Sequence, residues 1–156
     1  MNRLFTIGYE GATPAALADA LSTAGVEVLV DVRAVANSRR PGFSKRALSA
    51  GVDERGIGYL HLRALGTPAE GRAAARAGRH AEMQAIFAEQ LKTEAAQEDV
   101  AALVAMLKQG RKMCLLCFER EPEHCHRKIV AERIEEMAGG ATIEHLHALP
   151  ASFERP

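Results

Sequence analysis

Short apolar runs at residues 4–7, 26–30, 58–62, 112–117 and 141–146 alternate along this chain with segments whose apolar residues recur at helical spacing. That alternation constrains the fold more than any other feature, because strand–helix–strand crossovers build a parallel sheet covered by helices. Val26-Glu27-Val28-Leu29-Val30, rich in β-branched residues, is the clearest strand. The clearest helix follows Thr13-Pro14, with Thr13 as N-cap and Pro14 in the first helical position. Leu17, Ala20, Leu21 and Ala24 make its stripe, and Gly25 stands where a C-terminal cap belongs. Further helices are expected over 44–50, capped by Ser44 and closed by Gly51, and over 68–77. Stripes on Met83, Ile86, Phe87 and Leu91, on Val100, Leu103, Val104 and Leu107, and on Val130, Ile134 and Met137 complete the set. The expected fold is a single α/β domain over residues 1–156: a mainly parallel sheet flanked by helices in three Rossmann-like layers.

Composition adds exclusions. At 47% apolar and 26% charged residues, 156 residues suffice for one core. Twenty basic and twenty acidic side chains cancel, so a global pull on nucleic acid or a membrane surface is unsupported. The first apolar run breaks at Gly8, unlike a signal peptide, and no run approaches the roughly 18 residues of a membrane span. Three Cys, an odd number, suggest free thiols in a reducing cytoplasm, and a cytoplasmic location is expected.

In a parallel sheet the segments Gly8-Tyr9-Glu10, Asp31-Val32-Arg33 and Cys117-Phe118-Glu119 leave their strands at one edge, where α/β proteins bind ligands. The run from Cys117 to Arg127 then gathers thiols, imidazoles, carboxylates and guanidiniums between a strand and a helix start. A helix N-terminus beside His126 and Arg127 favours a thiolate at Cys125. A second reading makes the run a capping loop with inert thiols. Cys117, His124, Cys125 and His126 also suit zinc, but three consecutive residues do not readily point at one ion, so neither metal nor other cofactor is expected. Cys114 and Cys117 spell C-x-x-C, yet in a strand they face opposite sides of the sheet, and Cys114 is read as core. Asp31 and Arg33 are read equally as site groups or as a structural ion pair. Arg33, Arg39, Arg40, Lys45 and Arg46 form an acid-free basic loop around Phe43, and Arg72, Arg76 and Arg79 form a second basic row. Phe43 is read either as a base-stacking ring or as core. Of the other histidines only His61 is kept in reserve, while His80, His145 and His147 are read as packing or surface residues.

Thr6-Ile7-Gly8-Tyr9, Asp31-Val32-Arg33, Ser38-Arg39-Arg40-Pro41-Gly42-Phe43-Ser44, Tyr59, Leu65-Gly66 and Cys117-x-Glu119 followed by Cys125-His126-Arg127 together resemble the family called domain of unknown function 488. The resemblance implies a small bacterial α/β protein and brings no established reaction. Ala36 stands where the family pattern has proline, and Thr67 replaces the second glycine of its Leu-Gly-Gly.

The expected function is an enzyme, or a ligand-binding domain derived from one, acting on a phosphate-bearing substrate, a nucleotide or nucleic-acid component. Asp31, Glu119, Cys125 and His126 are the expected catalytic residues. Gly8, Tyr9, Arg33, Ser38, Arg39, Arg40, Phe43, Cys117 and Arg127 are the expected ligand contacts, the partner being a small anionic or nucleotide-like ligand and no membrane. Two alternatives stand beside it. One is rhodanese- or phosphatase-like thiol group transfer, opposed by the length of the Cys117–Arg127 run and its three glutamates. The other is a non-catalytic nucleic-acid-binding accessory module.

Overall fold

Residues 2–149 are described by a computed structural model, in which the apolar runs become five strands. They are β1 (Arg3–Gly8), β2 (Val28–Asp31), β3 (Gly58–His61), β4 (Met113–Cys117) and β5 (Thr142–His147), in the order β3-β2-β4-β1-β5. Every neighbouring pair is parallel, so the sheet is wholly parallel. The helices are α1 (Pro14–Ala24), α2 (Lys45–Asp53), α3 (Ala69–Arg76), α4 (His80–Leu91), α5 (Glu94–Lys108) and α6 (His126–Ala138).

Alternate side chains of each strand enter opposite cores, which makes the expected three layers. Phe5, Ile7, Leu29 and Leu116 pack under Leu17 and Leu21 of α1 and Leu48 of α2. Leu4, Val30 and Leu115 pack on the other face against Phe87 of α4, Leu103 of α5 and Ile134 of α6. Cys114 belongs to the first core and Cys117 to the second, the opposed facing expected for residues three apart in a strand.

Local signals were realised with two shifts. Thr13 caps α1 by accepting from the Ala16 N–H at 3.1 Å, and Gly25 closes it at φ 75°. The second strand starts at Val28 because the Val26 N–H still donates to Leu21 O of α1 at 3.0 Å. Helix α2 runs through Gly51 to Asp53, and the Ser44 hydroxyl bonds Ser38 instead of the helix end.

The topology positions a crevice. From β1 the chain leaves toward α1 on one face, and from the adjacent β4 it leaves toward α6 on the other. Connections that diverge in this way place ligand sites at the carboxyl edge of a parallel sheet. The chain beyond β1 and β4 stays paired, with a Gly8 Cβ placed 1.7 Å from Glu119 O, so the open space lies on the β2 side of β4 and is lined by Arg33, Ala34 and Cys117. Gly8→Ala is therefore expected to lower stability by about 1–3 kcal/mol or more in urea unfolding. Gly51→Ala, with open space around it inside α2, is expected to raise stability by up to about 1 kcal/mol. Equal, small effects for the two variants would contradict the packing at Gly8.

Candidate functional site

Arg127, in the first turn of α6, is fully buried and has no carboxylate partner among the described residues. Its Nε donates to Thr6 Oγ1 at 3.1 Å, Nη2 to Arg120 O at 3.2 Å, and Nη1 to both Glu119 O at 2.5 Å and Cys117 Sγ at 3.3 Å. Thr6 bonds His145 Nδ1 in turn at 2.6 Å. Burial pulls the guanidinium down to about 10, which leaves it charged at neutral pH.

Cys117 ends β4, and the chain returns through a 3₁₀ turn, Pro122–His124, to set Cys125 over it as the N-cap of α6. The two are joined by a disulfide, and Cys114 alone is free. The expectation of three free thiols, with Cys125 the most reactive, is corrected accordingly: an eight-residue separation hid the meeting because the fold, not the spacing, makes it. His126 is buried beside them. Its Nε2 donates to Val32 O at 2.7 Å, so Nδ1 keeps its lone pair, 3.7 Å from Cys125 Sγ. Desolvation, opposed by the Val32 bond, lowers His126 to about 4, and the ring is neutral. Cys117, Cys125 and His126 place their ligand atoms within 4.8 Å of one another.

Asp31, fully buried at the end of β2, is an ion-pair partner here. Arg33 donates Nε to Oδ1 at 2.8 Å and Nη2 to Oδ2 at 2.7 Å, and Tyr59 donates to Oδ2 at 2.5 Å. Desolvation lowers Arg33, but the bonds and charge of Asp31 outweigh it and hold its pKa above the ordinary value. Arg33 Nη1 also bonds Phe43 O at 2.7 Å, and His61 donates to Arg33 O at 2.8 Å. The expected acid or base at Asp31 and anion clamp at Arg33 thus satisfy each other.

The basic loop is similarly engaged. Phe43 is fully buried and stacks on Tyr9 with centroids 4.7 Å apart, which is the core reading of the two open for it and leaves no exposed ring for a base. Arg40 lies over Phe43, donates to Tyr9 O at 2.8 Å and to Ala12 O, and Ser38 accepts from the Arg40 N–H at 3.1 Å. Arg39 is exposed. Gly8 serves the backbone contact with Glu119 described above.

A cavity of about 290 Å³ opens at this edge. Cys117, Glu119, Cys125 and His126 line it together with Thr67, Arg72 and Arg76, and so do Arg33 and Tyr9. Burial, and then the charge of Glu10, raise the Glu119 carboxyl above the usual range. Arg72 bonds only Thr67 O, at 2.9 Å, and Arg76 has no ion-pair partner among the described residues. Arg39, Arg40 and Phe43 do not line it. Arg72 and Arg76 had been visible as a basic row, but only the fold turns α3 toward the thiols. Thr6 and His145 carried no sequence signal beyond the Thr6-Ile7-Gly8-Tyr9 match. His124 also lines the cavity, but its ring stacks on His80 at 4.5 Å. No described helix is long and apolar enough to cross a membrane.

The family described as Domain of unknown function DUF488 matches residues 13–134, and the chain belongs to it. No curated protein and no solved structure matches the chain.

Burial, and then the bond to Asp31, raise the Tyr59 phenol above its ordinary value of 10.0. A raised folded-state pKa means that its contribution to stability is complete below about pH 10 and is lost as pH rises beyond it. Ultraviolet titration is expected to show a late-ionising phenol that disappears in Tyr59→Phe. A late component retained in that variant would contradict the Asp31–Tyr59 bond.

Proposed function

We propose that this member of the DUF488 family is an enzyme that binds a small phosphate-bearing substrate in the cavity at the carboxyl ends of β2 and β4 and acts on it with the Cys117–Cys125–His126 cluster. One observation carries the reading: the cluster lines one cavity with Arg72 and Arg76, guanidiniums without carboxylate partners among the described residues. Guanidiniums match phosphate oxygens bidentately. A volume of about 290 Å³ suits a mononucleotide or smaller ester better than a nucleic-acid strand. Glu119, lining the same cavity, is positioned to carry a proton to or from a bound ester. Asp31 and Arg127 act as positioning residues: one fixes the Arg33 side of the wall, the other the Cys117 side.

A second reading, thiol oxidoreduction at the same cavity, is favoured by the disulfide and by the Arg127 N–H on Cys117 Sγ. In it the two thiols give two electrons and two protons to a bound substrate and end as the disulfide. Turnover that needs a dithiol in stoichiometric amounts would select this reading over the first.

Calorimetric titration of inorganic phosphate and nucleoside monophosphates tests the shared premise. Arg72→Ala/Arg76→Ala is expected to weaken binding by about 10–100-fold, the worth of one or two charge-assisted hydrogen bonds. Arg39→Ala, outside the cavity, is expected to leave it unchanged. The reverse pattern, or no binding to the unmodified protein, would overturn the proposal.

A further inference from the structure

We propose that the reduced protein binds one zinc ion through Cys117 Sγ, Cys125 Sγ and His126 Nδ1, with a fourth position open to the cavity. This rests on the reading of the cavity as a substrate site and says what the cluster is when it acts there.

Three protein ligands and one open position are the composition of catalytic zinc sites, and two sulfurs with one imidazole nitrogen suit zinc. The three ligand atoms already lie within 4.8 Å of one another, on side chains that are all buried. The obstacle seen in the sequence, three consecutive residues aimed at one ion, is absent from the fold: His124 turns away to stack on His80, leaving Cys125 and His126.

The outer contacts are those that such a site requires. A metal-bound histidine uses its second nitrogen to hold the ring, and His126 does so through Nε2–H to Val32 O at 2.7 Å. The free Nδ1 is the nitrogen on the Cys125 side. Arg127 Nη1–H, 3.3 Å from Cys117 Sγ, is a donor for a ligating thiolate, which accepts far better than a disulfide sulfur. The Cα atoms of Cys117 and Cys125 are 7.3 Å apart. Disulfides usually span about 4.4–6.8 Å. Two thiolates on a tetrahedral zinc stand roughly 3.8 Å apart at Zn–S of about 2.3 Å, which fits the wider backbone spacing.

The chemistry balances simply. A phosphine reductant gives two electrons to the disulfide and, with two protons, yields two thiols, the phosphine ending as its oxide with an oxygen from water. Zinc then displaces one proton from each thiol. Two thiolates, one neutral imidazole and Zn²⁺ carry no net charge, and all three ligands line the cavity, so the remaining position faces the substrate space.

The test uses the full chain, reduced with a phosphine under nitrogen, given one equivalent of zinc and desalted. One zinc per chain is expected, with an X-ray absorption shell of two sulfurs at about 2.3 Å and nitrogen or oxygen near about 2.0 Å. Cys117→Ser, Cys125→Ser and His126→Gln are each expected to bind zinc more than about 100-fold more weakly, beyond the usual loss from an outer-shell change. Cys114→Ala is expected to bind normally. Cobalt in place of zinc should give sulfur-to-metal charge-transfer absorption, a readout of the wild-type protein that does not depend on the variants folding. Substoichiometric zinc, a shell without sulfur, or binding that survives loss of Cys117 or Cys125 would overturn the proposal. Phosphate titration of the metal-free reduced protein reads the arginine side separately, so failure of the zinc site and failure of the substrate reading give different results.

Discussion

The guanidinium of Arg127 reaches from the first turn of α6 to β1, to the last residue of β4 and to the loop between β4 and α6. A cation removed from water costs several kcal/mol unless its hydrogens find acceptors. Here a hydroxyl, a sulfur and two carbonyls supply them. Because those acceptors belong to separate segments, satisfying Arg127 fixes where the loop lies, and with it the placement of Cys125 over Cys117. Lysine would bring a point charge with three donors in place of a planar fork, and it would leave part of this set unpaired.

A second buried cation does the equivalent on the far side of the crevice. Arg33 is neutralised by Asp31, and Tyr59 completes the carboxylate's bonding from β3. The two arginines therefore differ in kind: one belongs to a closed ion pair, while the other faces neutral acceptors and a sulfur. In both, every guanidinium nitrogen donates to a protein acceptor. Arg72 and Arg76 of α3 line the same cavity as Cys117 and Cys125.

Much of the fold was legible because its signals are local. Thr13-Pro14 and Gly25 bounded α1, a β-branched run marked β2, an unbranched apolar run marked β4, and helical stripes marked α4, α5 and α6. The convergence of Gly8, Asp31 and Cys117 followed from parallel topology alone. What stayed hidden depends on partners distant in sequence. The Asp31–Arg33 pair, two positions apart, was one of the two readings open in the sequence, but nothing near Arg40 tells that it lies over Phe43, so a run of arginines looked like an anion site. Phe43 looked equally suited to the core and to a ligand, and Tyr9, thirty-four positions away, decides it. The disulfide was not foreseen, although Cys117 and Cys125 had been grouped as possible zinc ligands, because an odd number of cysteines, with these two eight residues apart, gives no sign of pairing and the loop that joins them is held by Arg127.

A crystal structure of the reduced protein grown with zinc and inorganic phosphate measures the central claim directly, because it locates the ion and the anion together. The account requires the metal on Cys117, Cys125 and His126, with phosphate in the cavity between it and Arg72 or Arg76. Phosphate at the exposed Arg39 loop, with the cavity empty and the two sulfurs free of metal, would contradict it.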